Sequence, residues 1–139
     1  MAITPSVSAA YKLGMIQGDF VLADTYMVAL YTSSATLGPL TATYTTSNEC
    51  TGGNYPAGGI VMPSAAAVLD VTTAILTFSN ATFINLTLSD VRGCMIYDAS
   101  KGNTMVACFD FGQSLSLYTS DFTLIVPGAT ATTGLIRFS

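Results

Sequence analysis

From residue 60 onward the chain is a succession of short apolar stretches separated by turn-forming residues, and that rhythm restricts it to an antiparallel β architecture. The stretches are IVM (60–62), AAVLDV (66–71), TAILTFS (73–79), ATFINLTL (81–88), VRGCMIYDA (91–99), TMVACFDFG (104–112), FTLIVP (122–127) and TGLIRFS (133–139). Pro63, the SKGN of residues 100–103 and Pro127-Gly128 punctuate them. Strands returning every 8 to 12 residues or so, with turn signals between, indicate a β-sandwich or barrel. No strand–helix–strand alternation, internal repeat or linker interrupts the pattern.

Upstream, TYMVALYT (25–32) is β-branched and aromatic, and predicts a further strand. Ser8 is placed to cap a short helix through Gln17, with Tyr11, Met15 and Leu13 on its apolar side and Gly18 as its terminator. Residues 1–7, MAITPSV, carry Pro5 and no periodicity, and predict an extended arm. The expected organisation is one all-β domain over residues 1–139: arm 1–7, helix 8–17, and an antiparallel sandwich over 25–139. Jelly-roll and immunoglobulin-like arrangements both fit about eight strands. Within it, Ala74, Leu76 and Phe78 alternate onto one face, and the spacing of Phe83 and Leu86 marks a slip or bulge.

The 91–112 segment predicts a register. If Ser100, Lys101 and Gly102 form a three-residue loop with Gly102 in the left-handed position, Arg92 falls opposite Asp110, Cys94 opposite Cys108 and Ile96 opposite Val106. Opposite charges and matched apolar pairs are what cross-strand neighbours favour. A Cys94–Cys108 disulfide is then geometrically possible. The odd count of three cysteines suits free, buried thiols better.

Charged residues make up 9% of the chain, against about 25% in ordinary soluble domains. No apolar run reaches the roughly 18 residues a spanning helix needs. The richest, Gly58 to Val71, is broken by Pro63, Ser64 and Asp70. The amino terminus has no basic lead and no unbroken apolar stretch, so no secretory signal is expected. A chain this poor in charge has little with which to coat a monomer's surface, which points to coverage by other subunits. Four basic residues against eight acidic ones give a net charge of −4 and offer no basic stripe for nucleic acid.

Histidine is absent, which removes the commonest general base, the Ser-His-Asp and Cys-His arrangements, and Cys/His zinc sites. The carboxylates are Glu49 and aspartates 19, 24, 70, 90, 98, 110 and 121, with no spacing that suggests an acid–base pair. The DASKGN of 98–103 lacks the alternating acidic ligands of a calcium loop and reads as a hairpin turn. No catalytic, cofactor-binding or metal-binding residues are expected, and no enzyme.

One segment fits neither helix nor regular strand. YTTSNECTGGNYPAGG (44–59) holds four of the twelve glycines and the only glutamate. Tyr44 and Tyr55 bracket it, and tyrosine is favoured at interfaces for its large ring and polar tip. Asn48 and Glu49 offer acceptors for the loop's own amides or for a partner's arginine. Two readings stand: a contact surface for another protein, or tyrosines packed on their own sandwich with Glu49 pinning the loop. The low overall charge favours the first. The candidate partner-binding residues are therefore Tyr44, Asn48, Glu49 and Tyr55 in the loop, with Ile3 and Pro5 in an arm expected to exchange with or lie across a neighbour.

Several segments together resemble a family of small virion proteins of tailed bacteriophages, described as head decoration, head fibre or tail proteins. They are Gly18-Asp19-Phe20 after the short helix, Val28-Ala29-Leu30-Tyr31-Thr32-Ser33, Tyr44-Thr45-Thr46-Ser47-Asn48-Glu49, and Asn54-Tyr55-Pro56-Ala57-Gly58-Gly59. Arg92-Gly93-Cys94-Met95-Ile96-Tyr97-Asp98, Phe109-Asp110-Phe111-Gly112 and Leu135-Ile136-Arg137 complete the set. The resemblance implies a non-enzymatic virion component, made in the bacterial cytoplasm, and leaves its place on the particle open; a small, nearly neutral, apolar sandwich that must bury surface suits a decoration or cement protein on the capsid surface. Its expected partners are the major capsid protein and itself; symmetry alone suggests a homotrimer, since capsid lattices present local three-fold axes. No nucleic acid or membrane is expected as a partner. The alternative is a tail or fibre component that binds a host surface, with Tyr55 near Glu49 as a glycan-binding pair.

Overall fold

Ser8 and Gly18 bound the helix as their chemistry requires. In this computed structural model, which describes residues 2–138, α1 runs Ala9–Gln17 with the Ser8 hydroxyl accepting from the Ala10 N–H. Gly18 closes it in the left-handed region at φ 77°, and the Asp19 N–H donates to Gly14 O at 2.9 Å. Met1 of the expected arm and Ser139 of the last expected strand lie outside the described residues. Of the predicted apolar side, Tyr11 is buried, whereas Leu13 and Met15 are exposed.

The described residues form eight strands: β1 Ser6–Val7, within the expected arm, then β2 Tyr26–Tyr31, β3 Ile60–Val61, β4 Ala66–Asp70, β5 Thr73–Thr77, β6 Ala81–Asp98, β7 Thr104–Leu124 and β8 Ile136–Phe138. They form two antiparallel sheets, β1-β7-β6-β2-β3 and β4-β5-β8. The chain is thus an all-β sandwich with an unequal, five-plus-three division. β6 joins two stretches expected as separate strands, 81–88 and 91–99. β7 likewise runs from 104 through 112 to 124, so the Ser- and Thr-rich 113–121 is strand and not loop. Leu115 and Leu117 alternate there with serines, a pattern of one half-covered face. Register shifts bend this long hairpin, one of them between Phe83 and Leu86 as the spacing predicts, with Asn85 at φ 56°.

The hairpin tip corrects the expected register. Asp98↔Thr104 and Tyr97↔Met105 keep it, but a shift beyond Tyr97 gives Ile96↔Ala107, Met95↔Cys108, Cys94↔Phe109 and Gly93↔Asp110. The three anticipated pairs are therefore each displaced by one residue. The loop is longer than three residues, and both Gly102 and Asn103 are left-handed. The cause is a bulge at Val106, which turns Val106 and its neighbour Ala107 into the same core cluster. The Val106 carbonyl, freed from the ladder, accepts the Ser8 N–H at 2.9 Å and so anchors the start of α1. Arg92 still reaches Asp110 diagonally, Nε to Oδ1 at 2.7 Å. Cys94 and Cys108 no longer face each other, and all three cysteines are free and buried.

Sheet one is covered on both faces. Val28, Leu30, Cys94, Ile96 and Val106 meet Leu76 and Ile136 of the smaller sheet and Phe78 just after β5, together with Phe83 and Leu86. On the far side Ala29, Tyr31, Met95, Tyr97 and Met105 form a second cluster under Ile3, Ala35 and Leu37. Double coverage explains why these strands read as unbroken apolar runs and not as alternating ones.

One turn breaks local preference. Val71, the first residue of the two-residue connection between β4 and β5, sits at φ 57° and is 84% exposed. A left-handed conformation costs a β-branched residue about 1–2 kcal/mol, whereas asparagine tolerates it. Val71→Asn is expected to raise the unfolding free energy by about 1 kcal/mol in a urea titration; unchanged or reduced stability would contradict the strain.

Candidate functional site at the glycine-rich loop

β3 reaches only the first half of β2, pairing Met27 with Val61 and Val28 with Ile60. Beyond that the outer edge of β2 is finished by the loop. Leu30 O accepts the Cys50 N–H at 2.9 Å, the Thr32 N–H donates to Asn48 O at 3.0 Å, and the Leu30 N–H donates to the Tyr55 hydroxyl at 2.9 Å. Gly59, at φ 84°, leaves no room for a Cβ against the Val28 carbonyl, which is why glycine stands there.

Glu49 holds this arrangement. Its side chain is buried and receives three hydrogen bonds: the Tyr44 hydroxyl to Oε1 at 2.6 Å, the Tyr55 hydroxyl to Oε2 at 2.6 Å, and the Gly58 N–H to Oε2 at 2.8 Å. Charge-assisted bonds of this length compensate the desolvation of the carboxylate. Tyr97 donates to Gly58 O and Tyr31 to Thr45 O, each at 2.6 Å. Tyr44 stacks on Tyr97 with ring centroids 4.7 Å apart, and Tyr55 lies over Phe83 at 5.8 Å. Burial first, and then the bond to Glu49, push the Tyr44 and Tyr55 phenols far above the ordinary tyrosine value.

Of the six expected contact residues, the fold thus brings Tyr44, Glu49 and Tyr55 together as an internal brace. Asn48 stays exposed at φ 60° on the loop's outer side. Ile3 and Pro5 sit elsewhere. The arm lies along its own sheet, with Ser6 and Val7 paired to Cys108 and Ala107, and the Thr4 N–H on Leu37 O at 2.8 Å. Ile3 is buried in the second cluster, against Gly93, and Pro5 is exposed.

A second polar cluster escaped sequence reasoning. Asp98, completely buried, accepts the Ser100 N–H through Oδ1 and has no partner for Oδ2. Beside it Asp24 binds Lys101, with Nζ 3.0 and 2.9 Å from its two oxygens. Burial, and then the neighbouring Asp24 carboxyl, raise the Asp98 carboxyl to about 7, while Asp24 is held below the usual carboxylate range. DASKGN signalled the turn correctly, but Asp98 is buried by tertiary pairing, with Tyr26 of β2 opposite it and Thr25 O accepting the Ala99 N–H, and no local spacing encodes that.

Among the described residues no set of three or more His, Cys, Asp or Glu side chains converges as metal ligands, and no helix is long and apolar enough to cross a membrane. No protein-family model, curated protein or solved structure matches the chain.

Two measurements follow from this geometry. Tyr55→Phe removes the donor to Glu49 and leaves the buried Leu30 N–H without its acceptor, so it should cost about 2–4 kcal/mol in urea unfolding; a loss under about 0.5 kcal/mol would mean that the brace is idle. Asp98 binds its proton more tightly in the folded chain, so its contribution is favourable at low pH and is lost as pH rises from about 4 to 7. Asp98→Asn should therefore match the wild type near pH 4 and exceed it by on the order of 2 kcal/mol at pH 7.5. Parallel stability–pH curves would show that Asp98 does not titrate in this window.

Proposed function

We propose that the chain is a structural protein of a tailed-bacteriophage virion, a decoration or cement protein that binds the major capsid protein shell and stabilises it. The observation that carries this reading is the surface: Leu13, Ile16, Leu40, Leu69, Tyr118 and Ile125 are exposed on a chain with 9% charged residues. So many large apolar side chains exposed on a chain so poor in charge support its coverage by neighbouring subunits. The doubly covered sheet and the Glu49 brace supply a rigid support, so little ordering entropy is spent when the surface is covered. The resemblance noted in the sequence points to the same class.

The second reading is a tail or fibre component that binds a host surface, and exposed Tyr118 favours it as a sugar-stacking side chain. The anticipated Tyr55–Glu49 pair lends it nothing, because both polar groups are engaged within the chain.

Copy number separates the two. Quantitative mass spectrometry of purified virions against the major capsid protein should return hundreds of copies for a shell protein. A few to a few tens would transfer the chain to the tail, and none would overturn the virion reading.

A further inference from the structure

Strand edges present unpaired N–H and C=O groups, and native sheets protect them with short strands, charges, prolines or bulges. Three of the four outermost strands here follow that rule, and the part of β7 that β1 leaves open beyond Cys108 is interrupted by register shifts and carries Asp110 and Asp121. β1 and β3 are two residues long, with Pro5 immediately before β1. β8 has three residues and carries Arg137. β4, at the other edge of the small sheet, carries none of these protections. Its sequence is Ala66-Ala67-Val68-Leu69-Asp70, five residues paired regularly with β5, and among the described residues with β5 alone. Leu69 is 71% exposed and Val68 37%. The single charge is turned away from the edge, since Asp70 Oδ2 accepts the Ala131 N–H at 2.6 Å.

The hairpin geometry specifies which groups are open. In a two-residue connection the closing pair, Asp70↔Thr73, is hydrogen-bonded, so bonded and non-bonded pairs alternate from there. Val68↔Ile75 and Ala66↔Thr77 are then bonded, and the N–H and C=O groups of Ala67 and Leu69 point outward.

We propose that β4 pairs antiparallel with β4 of a second copy of this chain, about a two-fold axis at Val68, joining two small sheets into one of six strands. The strand is complementary to itself in this register. Ala67 faces Leu69 of the other copy and Leu69 faces Ala67, which uses all four outward groups on each side. Ala66 faces Asp70, so no like charges meet. Ala67 also lines an apolar groove of about 230 Å³ with Met15, Val21, Leu22, Ala74 and Phe138. Ala67 and Leu69 share one face of the sheet, so pairing sets each Leu69 beside the other copy's Ala67 and continues that apolar surface across the seam. The contact is isologous, separate from any three-fold association, and does not rest on the virion assignment.

Sedimentation or light scattering of the purified chain at micromolar concentration tests it, together with cysteine cross-linking. Val68 faces itself across a non-hydrogen-bonded pair, where opposite Cα atoms lie about 4.5 Å apart, within disulfide reach. The native cysteines are buried, so Val68→Cys should give a covalent dimer with oxidised glutathione, and Ala66→Cys should not. The wild type should run at twice its 14.4 kDa mass. Leu69→Pro removes an outward N–H without touching the β5 ladder and should be monomeric, with an unchanged circular dichroism spectrum; Leu69→Lys is the second blocking variant should the proline disturb folding. A monomeric wild type whose Val68→Cys form does not cross-link would overturn the proposal and leave the edge to an extended segment of a different protein. A dimer indifferent to both Leu69 variants would overturn it equally.

Discussion

The backbone of β2 needs partners along both edges, because water reaches neither of its faces. β6 satisfies one edge over the full length of the strand. The other is satisfied in two ways, by β3 at first and then by Cys50, Asn48 and the Tyr55 hydroxyl. A buried, unpaired amide costs several times the net worth of an ordinary hydrogen bond, so the loop has to hold these groups in place. Glu49 makes that possible by fixing two tyrosine hydroxyls and the Gly58 amide at once. The glycines follow from the same demand, since the chain passes Val28 too closely for a side chain at Gly59. A segment that looks like a surface appendage is therefore the outer wall of the sheet.

The same logic links the amino terminus to the core. The bulge at Val106 frees a carbonyl, Ser8 supplies the N–H, and the start of α1 is fixed where Tyr11 can be buried. The arm then has a place on its own sheet, with Ile3 closing the second cluster. Polar groups left over by irregular pairing are thus used to dock neighbouring elements. The exceptions are Asp90 and Asp98, each with one buried carboxylate oxygen without a partner, and burial raises the Asp98 carboxyl to about 7.

A rigid support with large apolar side chains on its exterior suits the contact role proposed above. The exposed side chains are spread over α1, the 38–41 turn, β4, the outer part of β7 and the segment after it, so more than one neighbour can be engaged. β4 adds a directional element to this surface, because open backbone groups impose a register that apolar side chains alone do not.

Much of the fold was legible in local sequence. Ser8 and Gly18 marked the helix because capping chemistry depends on the residue itself and its immediate neighbours. The strand rhythm and the slip near Phe83 were legible for the same reason, as side-chain alternation is a local property. The continuity of β7 through its serines was not, because a half-covered strand and a polar loop share a composition. The register beyond Tyr97 was not either: the bulge at Val106 is set by which side chains the two clusters accept, and those clusters gather residues distant in the chain. For the candidate site, the sequence named Tyr44, Glu49 and Tyr55 but left open whether they face a partner or their own sheet. Tertiary structure decided that they turn inward, because the unfinished edge of β2 lies within reach of their hydroxyls, and no pattern confined to residues 44–59 contains that edge.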